Sequence, residues 1–230
     1  MAVAFDAVGP SSAGTGSATS PLTWTHTCAA GATELMVGAT IFTGSTNVIT
    51  AVTYNSVSMS LVGFTQSGAG GAGGVAMYHL ANPSSGANTV SVTFTGGNNT
   101  NAGSMSFTGS SGLGTAVTNT ANAASVSASV AGTTTGGMVA AACCYGGTAI
   151  ITITGTNSVT TQWEHNGTTN SGADNGAGGT VASTGGGASQ TVGFTDTGTD
   201  YWGIVAVELK PLAPGRSRVA SQAVKRSYFY

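Results

Sequence analysis

Along most of the chain, apolar and polar positions alternate with a period of two. Leu22, Trp24 and His26 interleave with Thr23, Thr25 and Thr27, the pattern of a half-buried strand. Val3 and Phe5 open the chain in the same way. Residues 35–42 form a denser apolar run, suited to a strand covered on both faces. The runs 49–54 and 57–64 flank Asn55-Ser56, which predicts a two-residue hairpin turn because Asn tolerates positive φ. Further strands are predicted at 75–80, 90–94 and 105–107. The second half adds 117–130 as one or two strands, then 138–145, 150–154, 160–164, 191–194 and 201–209. About a dozen short strands at roughly 10–15-residue spacing predict an all-β chain, a β-sandwich or jelly roll. Helix is disfavoured by Thr, Val and Gly, and no stretch keeps a period of 3.6 beside proper caps.

Three Gly-rich stretches, 67–74, 167–179 and 184–188, interrupt the strands and are expected to be loops at one end of a sandwich. None has the Lys of a phosphate-binding GxxxxGK[ST] loop, and no GxGxxG sits between a strand and a helix. The aromatic anchors include Trp24, Tyr54, Phe107, Trp163, Phe194 and Trp202. Each fully buried one contributes about 1.5–3 kcal/mol, so a core forms but is thin.

Composition narrows the classes. Of 230 residues, 37 are Gly and only 5% are charged. A coiled coil or long charged helix needs far more Glu, Lys and Arg. With 40% hydrophobic residues and a net charge of −2, charge-driven disorder is also excluded. No apolar run approaches the roughly 18–20 residues of a membrane helix, so no membrane partner is expected.

The charges are segregated. All seven acids lie between Met1 and Leu209, and all five bases (Lys210, Arg216, Arg218, Lys225, Arg226) follow. Such a break in sign marks a domain boundary, and Pro211, Pro214 and Gly215 mark it with chain-breaking residues. The chain therefore divides into a β-sandwich body, 1–209, and a basic, aromatic C-terminal arm, 210–230, extended or helical. Three readings of the arm stand side by side. It is a solvated terminus, a weak nucleic-acid contact that the acidic body opposes, or a segment that docks on another protein. The last is favoured, because its bases are interleaved with the apolar anchors Val219, Val224, Tyr228, Phe229 and Tyr230. Flat Thr- and Ser-rich sheet faces need covered edges, which favours a component of an assembly and a homo-oligomer.

Candidate chemistry is sparse. Cys28, Cys143 and Cys144 are an odd number and form no complete disulfide framework. Buried free thiols are expected, with a link from Cys28 to one of the pair as the alternative. Zinc is not expected, since neither CxxC spacing nor a His pair is present. The histidines His26, His79 and His165 are expected to be packed or surface side chains. No GxSxG elbow accompanies them. Asp196 and Asp200 flank a probable turn and are expected to be solvated turn formers; paired glycosidase acids or a Ca²⁺ site are the other readings. Trp163, beside Glu164-His165, together with Tyr201 and Trp202, is the candidate stacking set for a glycan. No catalytic residue, metal or cofactor is expected. No export signal of basic residues followed by an apolar core is visible, although the composition is that of an external protein, which points to release by lysis.

A serial pattern completes the reading. Val3 to Ala7 leads through the Ser/Gly/Thr-rich segment 11–20 into Leu22 to His26, then Leu35 to Ala39, Val52 to Asn55 and Met59 to Val62. Met77 to Pro83, Gly86 to Phe94 and Ser104 to Gly109 follow. This order resembles β-sandwich domains of tailed-bacteriophage virion proteins, of the minor tail or capsid accessory and decoration type, and of some bacterial surface proteins, over residues 2–209. The resemblance implies a non-enzymatic structural protein of the virion, made in the host cytoplasm and released by lysis. Its partners would be the major capsid or tail proteins of the same particle; the arm lies outside the matching residues, and its role as anchor is read from its own bases and aromatics. A carbohydrate-binding module recognising a host surface glycan is the alternative.

Overall fold

The computed structural model describes residues 1–42, 46–67, 73–95, 99–146, 152–166 and 175–213. Ten strands occupy the first half of the chain: β1 (Ala4–Gly9), β2 (Thr15–Ser17), β3 (Leu22–Cys28), β4 (Ala32–Ile41), β5 (Ile49–Tyr54), β6 (Val57–Ser58), β7 (Ser60–Gln66), β8 (Gly74–Ala81), β9 (Gly86–Phe94) and β10 (Thr100–Thr108). Seven follow: β11 (Ser110–Leu113), β12 (Val117–Val130), β13 (Met138–Tyr145), β14 (Thr154–Thr156), β15 (Thr160–His165), β16 (Asn175–Ala182) and β17 (Gln190–Pro211). The described residues contain no helix, and every strand pairing is antiparallel.

The first ten strands build a sandwich. Its inner sheet has the order β1-β10-β4-β8-β7, with β2 continuing the β1 edge along β10, and its outer sheet has the order β3-β9-β5-β6. The last seven strands repeat this plan inside one curled sheet. Its inner part runs β11-β17-β13-β16-β15, and the first half of β12 continues the β11 edge along β17. The second half of β12 pairs with the first half of β17, which in turn pairs with β14. That reproduces β3-β9-β5. A register shift between the pairs Ala123–Asp200 and Ser125–Thr195, with the extra residues on β17, marks where the β12–β17 ribbon passes from one layer to the other, as such irregularities bend a strand.

The repeat is also written locally. Asn55-Ser56 has φ of 49° and 64°, and Asn157-Ser158 has 56° and 65°; Val follows each pair. Both are the two-residue turns with positive φ that match the strand twist. Val92-Thr93-Phe94-Thr95 and Val192-Gly193-Phe194-Thr195 lie on the equivalent outer strands. The all-β sandwich expectation holds, and the body expected as one unit over 1–209 is two sandwiches of one plan in tandem.

Three cores result. Leu22, Trp24, Leu35, Val37, Val52, Tyr54, Val90 and Val92 fill the first sandwich. Val126, Val139, Ala141, Cys143, Val192, Phe194, Trp202 and Ile204 fill the second. The third lies between the two inner sheets. Met36, Met77, Met105 and Phe107 come from the first, and Ala140, Ala142, Cys144, Trp163, Val205 and Val207 from the second. Large side chains on one sheet meet small ones on the other, which is how facing layers interdigitate without voids.

Trp163 is the largest piece of this seam and is fully buried. It fits because three strands carry Gly where it lies. A methyl group at Gly103 or Gly178 would overlap its ring, and one at Gly38 would stand 2.8 Å from Cζ2. A loop strap adds to the seam, since Glu164 N donates to Ser12 O at 2.8 Å and His165 Nδ1 lies 3.1 Å from Ala13 O.

Several strands differ from expectation. β16 begins inside the stretch 167–179 read as a Gly-rich loop and runs on to Ala182, and Asn175 to Val181 are all buried. Its glycines are there for close approach to Trp163 and Thr40, so the strand lacks the β-branched residues that announce one. β2 and β11 are short edge strands without alternation. β12 spans 117–130 as a single strand, one of the two readings expected, whereas the predicted strands 191–194 and 201–209 are parts of the single β17. The predicted strand 150–154 falls partly outside the described residues, and β14 begins at its end.

Gly103→Ala is expected to lower stability by about 1–3 kcal/mol, the range for overpacking a closed core. A chemical denaturation midpoint that does not move would show that the Trp163 slot can relax.

Candidate functional site

The arm residues expected to bind a partner, Arg216, Arg218, Val219, Val224, Lys225, Arg226, Tyr228, Phe229 and Tyr230, lie outside the described residues. The glycan-stacking set does not survive as a surface. Trp163 is sealed in the seam. Trp202 is fully buried in the second sandwich, where Nε1 donates to Ala123 O at 2.9 Å and its ring meets Tyr145 edge to face at 4.7 Å. Tyr201 is half-buried. Alternation alone could not tell the two faces of β17 apart, because both are covered.

Five acids among the described residues are engaged locally. Asp196 accepts from Gly198 N and Asp200 from Tyr201 N at 2.7 Å. They shape the bend in β17, next to Tyr145, whose hydroxyl is pushed up to about 12 by burial first and then by these two carboxylates. Glu164 accepts from Ile153 N. Asp6 accepts from Ala29 N at 2.9 Å and Ser106 Oγ at 2.7 Å. Glu208 is buried and accepts from Thr134 N and from Ser183 Oγ at 3.1 Å.

Glu34 differs. It is only 2% exposed, and among the described residues its polar neighbour is His79 Nδ1 at 3.5 Å, the outer limit of a hydrogen bond. It borders a cavity of about 350 Å³ whose wall includes His79, Asn82, Ser110 and Leu212. A second cavity of about 430 Å³, mostly apolar, is lined by Met1, Ala2, Gly136, Pro211 and Leu212 among others. Leu212 borders both.

These cavities surround the place where the described chain runs out toward the arm, and that root is firmly built. β17 stays paired to β11 as far as Pro211, opposite Ser110. Beyond it, Leu212 N donates to Gly109 O at 2.9 Å, and the Met1 nitrogen donates to Leu212 O at 3.0 Å. Ser111 Oγ bonds the carbonyls of Lys210 and Pro211 at 3.3 and 3.1 Å. Gly109, the joint between the sandwiches, has φ of 75°, and a Cβ there would strike the Ala2 carbonyl at 2.5 Å. The expected boundary between 209 and 210 falls inside β17, which continues to Pro211, and this root was not foreseen, because Glu34, His79 and Ser110 come from distant strands and share no local motif.

The three thiols are free and buried. Cys28 belongs to the first core, Cys143 to the second and Cys144 to the seam, so no pair is bridged. Burial pushes Cys28 and Cys143 up, and Cys144 up to about 12. Thiols held protonated are poor nucleophiles. A thiol reagent at pH 8 is expected to leave the native protein unlabelled and to modify all three residues in denaturant. Fast labelling of the folded protein would contradict their burial.

His26 is buried, with Nδ1 2.8 Å from Ser104 Oγ. Burial is the larger influence and lowers its pKa to about 4, while Asp6 works in the opposite direction. The unfolded chain takes up this proton near pH 6.5 and the folded chain does not until about pH 4. Stability is therefore complete above pH 6.5 and falls as the pH drops through that window, by up to about 3 kcal/mol. Urea midpoints at pH 7 and 4.5 should show the loss, and His26→Gln should flatten it; equal slopes in the two proteins would assign the effect elsewhere.

Comparison of the chain with protein-family models, curated proteins and solved structures finds no match.

Proposed function

We propose that this protein is a non-enzymatic structural component of a tailed-bacteriophage virion, a surface-displayed pair of β-sandwiches of the capsid decoration or minor tail type. The C-terminal arm joins it to neighbouring subunits. The observation that carries this reading is the charge break at Lys210. A body without a single Lys or Arg through Leu209 is followed by five bases and the terminal aromatics Tyr228, Phe229 and Tyr230. Arg and buried aromatics are the usual anchors of an interface. Three consecutive aromatics also lose most of their hydration cost when they enter apolar pockets.

The fold supports the reading in two ways. A chain whose acids are mostly engaged by neutral donors and whose thiols are buried is a robust display scaffold. Its last strand is held as far as Leu212, by β11, Gly109 and the Met1 nitrogen. In the assembly, Arg216, Arg218, Lys225 and Arg226 meet acidic groups while Tyr228, Phe229 and Tyr230 fill apolar pockets of a capsid or tail protein. The glycan-binding alternative loses its two tryptophans to the cores, so no observation in the structure favours it.

Truncation after Pro214 is expected to leave the sandwiches folded, with an unchanged circular dichroism spectrum, and to abolish incorporation into particles. In parallel, trypsin should remove the aromatic terminus from free protein and spare it in particles. Normal incorporation of the truncated chain would overturn the anchor, and equal cleavage in both settings would assign attachment to the sandwiches.

A further inference from the structure

We infer that β12 is the surface through which two copies of this chain associate, by antiparallel pairing of their β12 strands about a two-fold axis. The strand is 14 residues long, and among the described residues its ladder runs to β17 alone. Its other edge therefore presents a row of backbone donors and acceptors, the usual template for a further strand. Thr118, Asn119, Thr120, Asn122, Ala124 and Ser125 are all exposed. The strand holds no charged residue, no Pro and no Gly, so it lacks the side chains that normally blunt an edge.

The tandem plan supplies an internal control. In the first sandwich the equivalent edge is split into β2 and β3, of three and seven residues, with Pro21 between them. The approach to β2 is also occupied, since Ser12 O accepts from Glu164 N and Ala13 O lies against the His165 ring. One plan thus closes this edge in its first use and leaves it long and unbroken in its second.

A second copy is the occupant that fits. Antiparallel pairing of a strand with itself closes under a two-fold axis and needs no other complementary sequence. With no charge on β12, no like charges meet across the pair. Asp196 and Asp200 lie one strand further in, on β17. Three strand spacings, about 14 Å, separate them from their counterparts, beyond the screening length of about 8 Å at physiological salt. The bend at 123–125 sets the register, because an axis through it lets both halves of each strand slope alike, with Ala124 at the centre. Leu61, 51% exposed, flanks the edge on β7, which passes Thr118 at Gly63.

The size of the contact sets its strength. Fourteen residues span about 48 Å, and a band about 10 Å wide covers about 500 Å² on each copy. A total of about 1,000 Å² is the low end for a specific interface, so the dimer is expected to dissociate at micromolar concentrations. Its formation does not depend on the virion reading, because free protein suffices. Failure of either leaves the other standing.

Sedimentation velocity on the full-length free protein, from about 1 μM to about 1 mM, is expected to show a monomer passing into a dimer. Ala124→Lys and Ala124→Glu place like charges face to face at the axis, and each should raise the dissociation constant about tenfold or more. An equimolar mixture of the two variants should recover dimer as the heterodimer. Val57→Lys, at an exposed position of another edge strand, should leave the dimer unchanged, and circular dichroism should show all three variants folded. A monomer at every concentration, a dimer that neither Ala124 variant weakens, or a mixture that fails to pair would overturn the proposal.

Discussion

The seam between the two inner sheets is the constraint on which the rest of the molecule depends. Each inner sheet is covered on one side by its own outer strands and on the other by the second sandwich. Almost every residue of β4, β10, β13 and β16 is therefore buried. Two faces cannot both be filled with large side chains at the spacing of packed sheets. One side of the seam accordingly carries methionines and Phe107, the other Ala and Cys, and Trp163 lies over three glycines. The abundance of Gly and Ala and the scarcity of charge follow from this doubly buried middle rather than from loops alone. The seam also has a cost. Trp163 Nε1, Thr40 Oγ1 and Asn101 Nδ2 are buried there without a partner among the described residues, each worth about 1–3 kcal/mol of lost hydration. The close packing must offset it.

A middle of this kind dictates where charge goes. Acids survive in the body because backbone and hydroxyl donors are plentiful at strand ends, and a carboxylate needs only donors. The five bases all come later in the chain, at Lys210 near the end of β17 and beyond Pro211. Glu34 is the exception, with the His79 ring as its polar neighbour among the described residues. It sits at the end of the seam, on the strand β4 that both sandwiches cover, at the point where the basic segment departs.

What could be seen in the sequence follows the same division. β3 alternates buried and exposed without a fault, and the second half of β12 does the same. Both belong to outer layers with one wet face, and both were predicted. Residues 35–42 were predicted to be covered on two faces, as β4 is. β16 was missed, because glycines that make room for an indole look the same in sequence as glycines that make a loop. Trp163 and Trp202 were placed at a surface for the reverse reason, since an aromatic beside polar residues announces neither face. The tandem plan left readable traces in the paired Asn-Ser-Val turns at 55–57 and 157–159 and in the Val-x-Phe-Thr segments at 92–95 and 192–195. Between them the sequences diverge, because the facing surfaces of the seam demand opposite sizes. Glu34 and the arm root were not legible, since the cavity exists only after strands from both sandwiches have met.

The tandem plan also gives the molecule a direction. Ile41 stands opposite Gly74 and Thr100 in one inner sheet, and Tyr145 stands opposite Asn175 and Trp202 in the other. Thr40 touches Gly176, and Gln66 approaches Gly203, so these strand ends lie side by side. The residues that flank 43–45, 68–72, 96–98, 147–151 and 167–174 are thereby gathered at one end of both sandwiches. Glu34, Ala81, Phe107, Met138 and Leu209 mark the other end, where the chain passes from Thr108 to Ser110 and later departs past Pro211. A molecule that holds an anchor at one pole presents the opposite pole outward. On the virion reading, the end marked by Ile41, Gln66, Tyr145 and Trp202 faces away from the particle while the end marked by Leu209 and Leu212 faces it, and the duplicated sandwich doubles that outward end.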